Sequence, residues 1–233
     1  MGNLNMEFRN WEDIPEFMQN DEVKKYYEIL CRKRVSLKIK RSFDISASVF
    51  LIILLSPVFL FLTIWIKLDS RGPVYFKQER VTQYGRKFSI FKFRTMVTNA
   101  DKKGTLVTLK EDPRITKAGK KIRKLRLDEL PQLFNIAVGD MSFVGTRPEV
   151  RKYVDEYSNE MKATLLLPAG VTSEASIRYK DEDELLKDAG DVDEVYIQKI
   201  LPEKMRWNLR AIRRFSLPGE LSTMVRTVFH VLA

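Results

Sequence analysis

Ile45 to Ile66 read ISASVFLIILLSPVFLFLTIWI, an uncharged stretch in an otherwise charged chain. As one straight helix it is long enough to cross a bilayer core of about 30 Å. Two features point elsewhere. Arg32, Lys33, Arg34, Lys38, Lys40 and Arg41 precede it, and Lys67, Arg71, Lys77 and Arg80 follow it, so the positive-inside bias places both ends in the cytoplasm. Ser56 and Pro57 stand at the midpoint, where proline removes a backbone donor and clashes with the preceding turn. Each half is too short to span alone. The reading is a re-entrant membrane helix, within residues 40–68, that bends at Ser56 and Pro57 and leaves on the side it entered. A kinked spanning helix with the N-terminal segment outside is the alternative. A buried soluble helix fits so long an uncharged run least well.

On the N-terminal side, residues 1–39 mix charged residues with Phe8, Trp11, Ile14, Phe17, Val23, Tyr26, Tyr27 and Leu30 at helical spacing. They read as an extension of one or two short surface helices, without a signal-peptide layout. Downstream, residues 69–180 read as one folded domain. Val74–Gln78 and Arg86–Phe93 read as strands joined across Gln83–Gly85, with Ile90, Phe91 and Phe93 toward the core. Lys92 and Arg94 alternate onto another face, where they are equally free to be solvated. Thr95–Lys103 reads as a short helix ended by Gly104. Thr116 caps a basic helix over Ala118–Leu125 with Lys120, Lys121, Arg123 and Lys124. Ser142–Val144 reads as a strand and Gly145–Pro148 as a tight loop with Arg147 at its tip. An amphipathic helix follows, through Val150, Tyr153, Val154, Tyr157 and Met161, and Pro168–Thr172 reads as a turn. Residues 181–233 form the last region: an acidic, solvated stretch to 195, then two helices broken near Leu217–Gly219 whose Lys and Arg suit a bilayer interface. The fold class is α+β: a small membrane-associated domain, mostly helical with a short β-hairpin, plus the re-entrant helix and interfacial amphipathic helices.

Leu125–Asn135, LRLDELPQLFN, places two adjacent carboxylates in an apolar setting directly after a run of Lys and Arg. Leu130, Leu133, Phe134 and Ala137 follow helical spacing to Gly139, so a short helix is expected to begin near Asp128, with Asp128 at the N-cap and Glu129 at N1. The helix dipole and the cations upstream would both keep these carboxylates ionised. This suits a nucleophile or a metal ligand, and equally an ordinary helix cap. Neighbouring helical residues project about 100° apart, which is unsuited to flanking one bond as a glycosidase pair does. Arg147 on a stiff loop can clamp a phosphate bidentately, or make a surface ion pair.

Bulk composition narrows the chemistry further. Lys and Arg number 41 against 31 Asp and Glu, formally +10, which favours a nucleic acid, a phosphorylated substrate or an anionic membrane. The single cysteine, Cys31, excludes an intramolecular disulfide framework, and the single histidine, His230, makes histidine-rich zinc or iron sites improbable. Catalysis falls to carboxylates, Lys, Arg and hydroxyls. An anionic nucleotide-diphosphate substrate would need its charge offset by Arg, Lys and a divalent cation held by carboxylates.

The motifs KRSFDI at the start of the apolar stretch, SP at its middle, GPVYFKQERVTQYGRKFSIFKFRTM, DPRIT, LRLDELPQLFNI and GDMSFVGTRP resemble the bacterial sugar transferases, the monotopic polyprenyl-phosphate hexose-1-phosphate transferases or phosphoglycosyl transferases. The similarity runs from about Lys40 to Thr172. It implies transfer of a sugar-1-phosphate from a UDP-sugar to undecaprenyl phosphate, with release of UMP, at the bacterial inner (cytoplasmic) membrane with the catalytic domain facing the cytoplasm. By the same resemblance Asp128 is the nucleophile and Glu129 its partner in a Mg2+ site, Asp128 and Glu129 serving as metal ligands. Arg123, Arg147 and Lys92 are the phosphate and substrate contacts. Ser56 and Pro57 match the helix-breaking pair. Membrane lipid is a partner, nucleic acid is not, and the resemblance leaves room for a homo-oligomer and for other glycan-pathway enzymes. Two departures stand out. Thr146 replaces the proline usual before the loop arginine, and Ser173 and Ser176 occupy positions where the family commonly has glycine and glutamine near the nucleotide.

Two other functions compete with this one. A non-catalytic membrane scaffold of glycan assembly would keep the anchor and the basic surface, but leaves the carboxylates and their cations without a purpose. Nucleic-acid binding accounts for the charge but not for the apolar stretch.

Overall fold

The computed structural model describes residues 8–98, 100, 112–180, 182 and 191–232. The N-terminal segment folds into α1 (Asp21–Cys31), capped by the Asn20 side chain, which accepts from the Val23 amide at 3.1 Å. It is no surface helix: Val23, Tyr26, Tyr27 and Leu30 are buried in a core shared with residues 161–166 and the C-terminal helices. The periodicity was legible; the partner for its apolar face was not.

Helices α2 (Arg34–Leu54) and α3 (Ser56–Asp69) contain the apolar stretch and meet at 61°. The break falls at Leu55, and Pro57 lies in the first turn of α3, where its missing N–H costs nothing. Among the described residues no single helix is long and apolar enough to cross a membrane, while this bent pair passes that test together. The polarity of α2 is inverted. Its buried residues are Lys40, Asp44 and Ser48, whereas Phe50, Ile53 and Leu54 are exposed, as are Leu60, Phe61 and Leu68 on α3. Arg94, itself buried, fixes the exit of α3 by donating to the carbonyls of Ser70 at 2.6 Å and Arg71 at 2.7 Å.

Strands β1 (Tyr75–Val81) and β2 (Lys87–Phe93) pair antiparallel, from Tyr75 opposite Phe93 to Val81 opposite Lys87. The connection contains Tyr84 and Gly85, both at positive φ. Thr95–Thr98 are not helical, and the remainder of the helix expected to Lys103 falls outside the described residues except for Ala100. The basic helix forms as expected: α4 (Lys117–Lys124) is capped by Thr116, whose hydroxyl accepts from the Gly119 amide at 3.0 Å. Then come α5 (Gln132–Val138), ended by Gly139 at φ 99°, and β3 (Met141–Val144).

The region after Pro148 departs from expectation. Only α6 (Arg151–Val154) is α-helical there, followed by a 3-10 segment, Met161–Leu166. Tyr153, Val154 and Tyr157 are nevertheless buried, so the apolar pattern reported burial rather than one long helix. Residues Ala169–Thr172 form not a turn but β4, parallel to β3. Glycine makes that pairing possible: a Cβ on Gly170 would lie 2.1 Å from the Gly145 nitrogen.

Helix α7 (Glu174–Arg178) follows. Most of the acidic stretch, 181 and 183–190, lies outside the described residues. Beyond it, α8 (Val192–Val195) passes through a π-turn at Tyr196–Ile200 into α9 (Leu201–Arg213), and α10 (Leu217–Leu232) closes the chain. The last break precedes Leu217, with Pro218 in the first turn of α10. Among the described residues two hydrophobic clusters result, one around α1 and α9, the other joining α3, β2, α4, α5 and β3.

Candidate active site

Asp128 and Glu129 do not open a helix. They occupy a 3-10 turn, Leu127–Glu129, and Pro131 stands at the N-cap position of α5. The turn is entered through Arg126 in the left-handed region, at φ 54°, a conformation uncommon for a residue with a Cβ.

Around Glu129 the structure assembles what the sequence scatters. Arg147 donates to Glu129 Oε1 at 2.6 Å and to Oε2 at 3.4 Å, and Lys92 reaches Oε1 at 3.4 Å from β2. The side chain of Glu129 is 12 % exposed. Burial pushes its carboxyl upward, but Arg147 and Lys92 overcome this and hold it well below the usual carboxylate range. In return Glu129 raises the Arg147 guanidinium, while burial lowers the Lys92 ammonium.

Asp128 lies in a different environment one residue away. It is buried, and its Oδ1 finds no hydrogen-bond partner among the described residues. Burial raises its pKa; Lys92 pulls it down, Glu129 pushes it up, and Arg123 adds a lowering influence. The expectation that a helix dipole would keep Asp128 ionised is therefore corrected: the helix does not start there, and desolvation outweighs the cations. Of the adjacent carboxylates, Glu129 carries the settled charge and Asp128 is the one left unpaired.

Arg123 acts on Asp128 through its charge and makes no hydrogen bond to either carboxylate. Ser56 and Pro57 mark the bend between α2 and α3 and make no hydrogen bond or ion pair to the cluster. The Arg147 loop is anchored on every side. Gly145 donates to Thr172 O at 3.0 Å, Gly170 to Thr146 O at 2.8 Å, Val81 to Glu149 O at 3.0 Å, and the Arg80 side chain to Pro148 O at 3.2 Å. Glu149, buried, accepts from Tyr196 at 2.6 Å and lies 3.8 Å from both Arg80 and Lys204. Sequence reasoning missed this buttress, since β4 and the π-turn that deliver its members had no signature. It missed Gln132 as well, which is buried with neither side-chain polar atom partnered among the described residues.

No group of three or more His, Cys, Asp or Glu among the described residues could hold a metal ion by itself. Asp128 offers a free carboxylate oxygen suited to a hard cation, but both oxygens of Glu129 face Arg147. Magnesium typically keeps waters and binds through one or two carboxylates and substrate phosphates, so the donor set fits it at Asp128. Beyond Thr146, a cavity of about 440 Å³ opens between α7, α9 and α10, lined in part by Ser173, Arg178, Trp207 and Arg226. Ser173 caps α7, accepting from the Ser176 amide at 3.0 Å.

The sequence profile of the bacterial sugar transferases matches residues 35–233. The chain is 50 % identical over 123 residues to the UDP-N-acetylgalactosamine-undecaprenyl-phosphate N-acetylgalactosaminephosphotransferase of Aeromonas hydrophila, an alignment covering 53 % of this chain and 29 % of that protein. It is 50 % identical over 110 residues to the undecaprenyl-phosphate glucose phosphotransferase of Komagataeibacter xylinus, covering 47 % and 21 %. The uncharacterized sugar transferase EpsL of Bacillus subtilis is 41 % identical over 139 residues, covering 60 % and 68 %. The chain thus spans less than a third of two of these relatives and about two thirds of the third. With the profile extending from the start of the bent helix pair to the C-terminus, the chain belongs to the bacterial sugar transferase family.

Proposed function

We propose that the protein transfers a sugar-1-phosphate from a UDP-sugar to undecaprenyl phosphate in two steps. An oxygen of ionised Asp128 attacks the β-phosphorus; the bond from that phosphorus to the bridging oxygen breaks, and UMP leaves with the electron pair. A phosphate oxygen of the lipid then attacks the same phosphorus, the bond to Asp128 breaks, and the carboxylate is restored. The observation that carries this reading is the contrast between the two carboxylates. Glu129 is committed to Arg147 and Lys92, whereas Asp128 holds a buried oxygen with no hydrogen-bond partner among the described residues. The names of the relatives supply the substrate classes.

Lys92 and Arg147 keep positive charge beside the reacting centre and, through Glu129, stay fixed before substrate arrives. Magnesium, held by Asp128 and substrate phosphates, would neutralise the diphosphate charge. The cavity beyond Thr146 has the volume of a small-molecule site and adjoins the arginine loop, so it would receive the nucleotide.

The inverted polarity of α2, with lysine and aspartate inside and phenylalanine and isoleucine outside, supports insertion of the bent pair into the cytoplasmic face of the membrane as a re-entrant element. The test of the activity is UMP release across a panel of UDP-sugars with undecaprenyl phosphate and magnesium. Release with one or more sugars is expected; none with any sugar favours the non-catalytic scaffold.

A further inference from the structure

We infer that Gln132 is a substrate-contacting residue whose amide donates a hydrogen bond to the phosphoryl group being transferred. Gln132 is 1 % exposed, yet neither Oε1 nor Nε2 has a hydrogen-bond partner among the described residues. A buried primary amide with all its capacity unused is costly, and most buried polar groups are satisfied. Asp128, one turn earlier, shows the same deficit at Oδ1.

The two deficits lie little more than one turn apart. Leu130 and Pro131 both have right-handed helical backbone angles, so the winding continues from the Leu127–Glu129 turn into α5. Through it the amides bond three residues back, Leu130 to Leu127 O, Leu133 to Leu130 O and Phe134 to Pro131 O, so Gln132 follows Asp128 closely along one tight coil and Asn135 follows Gln132 by a further turn. The end of that coil rests on β2: the Asn135 side chain donates to Ser89 O at 2.8 Å and accepts from the Phe91 amide at 2.9 Å, while Lys92, the next residue, reaches Glu129. Gln132 therefore lies between a docked asparagine and the charged cluster, little more than one turn from Asp128. A primary amide carries no net charge, and turned toward a phosphate its N–H supplies a donor without adding charge to a site already holding two cations.

This inference rests on the proposed transfer through Asp128, and the test separates the two. With wild-type protein releasing UMP in an Asp128-dependent manner, Gln132→Leu is expected to lower kcat for UMP release about 100-fold, as loss of an oriented donor does, with a smaller change in KM. Gln132→Glu keeps the shape and, while protonated, keeps a donor. Its activity should fall as pH rises through the new carboxyl's pKa, an alkaline limb that neither wild type nor Gln132→Leu shows. Gln132→Leu within threefold of wild type, or Gln132→Glu with the wild-type profile merely scaled down, overturns the inference and leaves the transfer reading intact. If Gln132→Leu does not fold, the pH profile of Gln132→Glu decides. A wild type that releases no UMP overturns the reading and the inference together.

Discussion

Arg147 and Glu129 form a half-buried ion pair at 2.6 Å that ties a loop after β3 to the turn bearing Asp128. The pair fixes an arginine beside the carboxylate that remains unpartnered, so its removal has two consequences. Arg147→Ala should lower kcat/KM for UMP release by about 100-fold or more through loss of an oriented cation. It should also destabilise the fold by about 1–2 kcal/mol, because the mostly shielded Glu129 carboxylate is left with Lys92 alone. Thermal unfolding and steady-state kinetics measure the two separately. Arg147→Lys should recover much of the stability and little of the rate, since one ammonium cannot replace a fork of donors.

The pH dependence follows from the carboxyl that burial raises. The attacking form of Asp128 is the carboxylate, so kcat/KM should be low in acid and climb as pH rises through a pKa above the ordinary aspartate value. Glu129's charge contributes to that elevation and occupies Lys92. In Glu129→Gln the acid limb of the residual activity should therefore move to lower pH; a limb that stays in place or moves up contradicts this assignment.

Gly170 tests the crossing that holds the arginine loop. An added methyl would meet the backbone of Gly145, which no side-chain rotation relieves. Gly170→Ala should cost about 1–3 kcal/mol of stability and reduce turnover beyond what the stability loss explains, measured at a temperature where the variant remains folded.

Trp207 lines the cavity assigned to the nucleotide, with the Arg178 guanidinium 3.9 Å above its ring. Trp207→Ala should raise KM for the UDP-sugar several-fold while changing kcat little. The reverse pattern would remove the nucleotide from this cavity.

How much of this was legible in the sequence depended on the range of each interaction. The break at Ser56 and Pro57, the Thr116 cap and the β-hairpin are local, set by proline chemistry, a hydroxyl three residues from its donor and adjacent strands. They were readable. The parallel pairing of β3 with β4 joins Met141 to Ala169 and depends on two glycines meeting, which no local pattern announces. The carboxylate pair was recognisable as the chemical centre, but its electrostatics were not: whether Asp128 is stabilised or strained as an anion depends on burial by α5 and β2. Residues paired across long sequence separations, such as Tyr196 with Glu149, carried no signal at all.

The insertion of α2 and α3 predicts a common side for both flanks. In a Cys31→Ser background, single cysteines near residues 35 and 75 should both react with a membrane-impermeant thiol reagent only from the cytoplasmic side. Reaction from opposite sides means that the bent pair spans the bilayer.

The central claim is that Asp128 carries the phosphosugar. Intact-protein mass spectrometry after incubation with UDP-sugar and magnesium, without undecaprenyl phosphate, tests it directly. The account predicts a mass increase of one sugar phosphate, mapped to the peptide containing Asp128, absent from Asp128→Asn and discharged on adding undecaprenyl phosphate. Full turnover by Asp128→Asn, or an adduct on another residue, would contradict it.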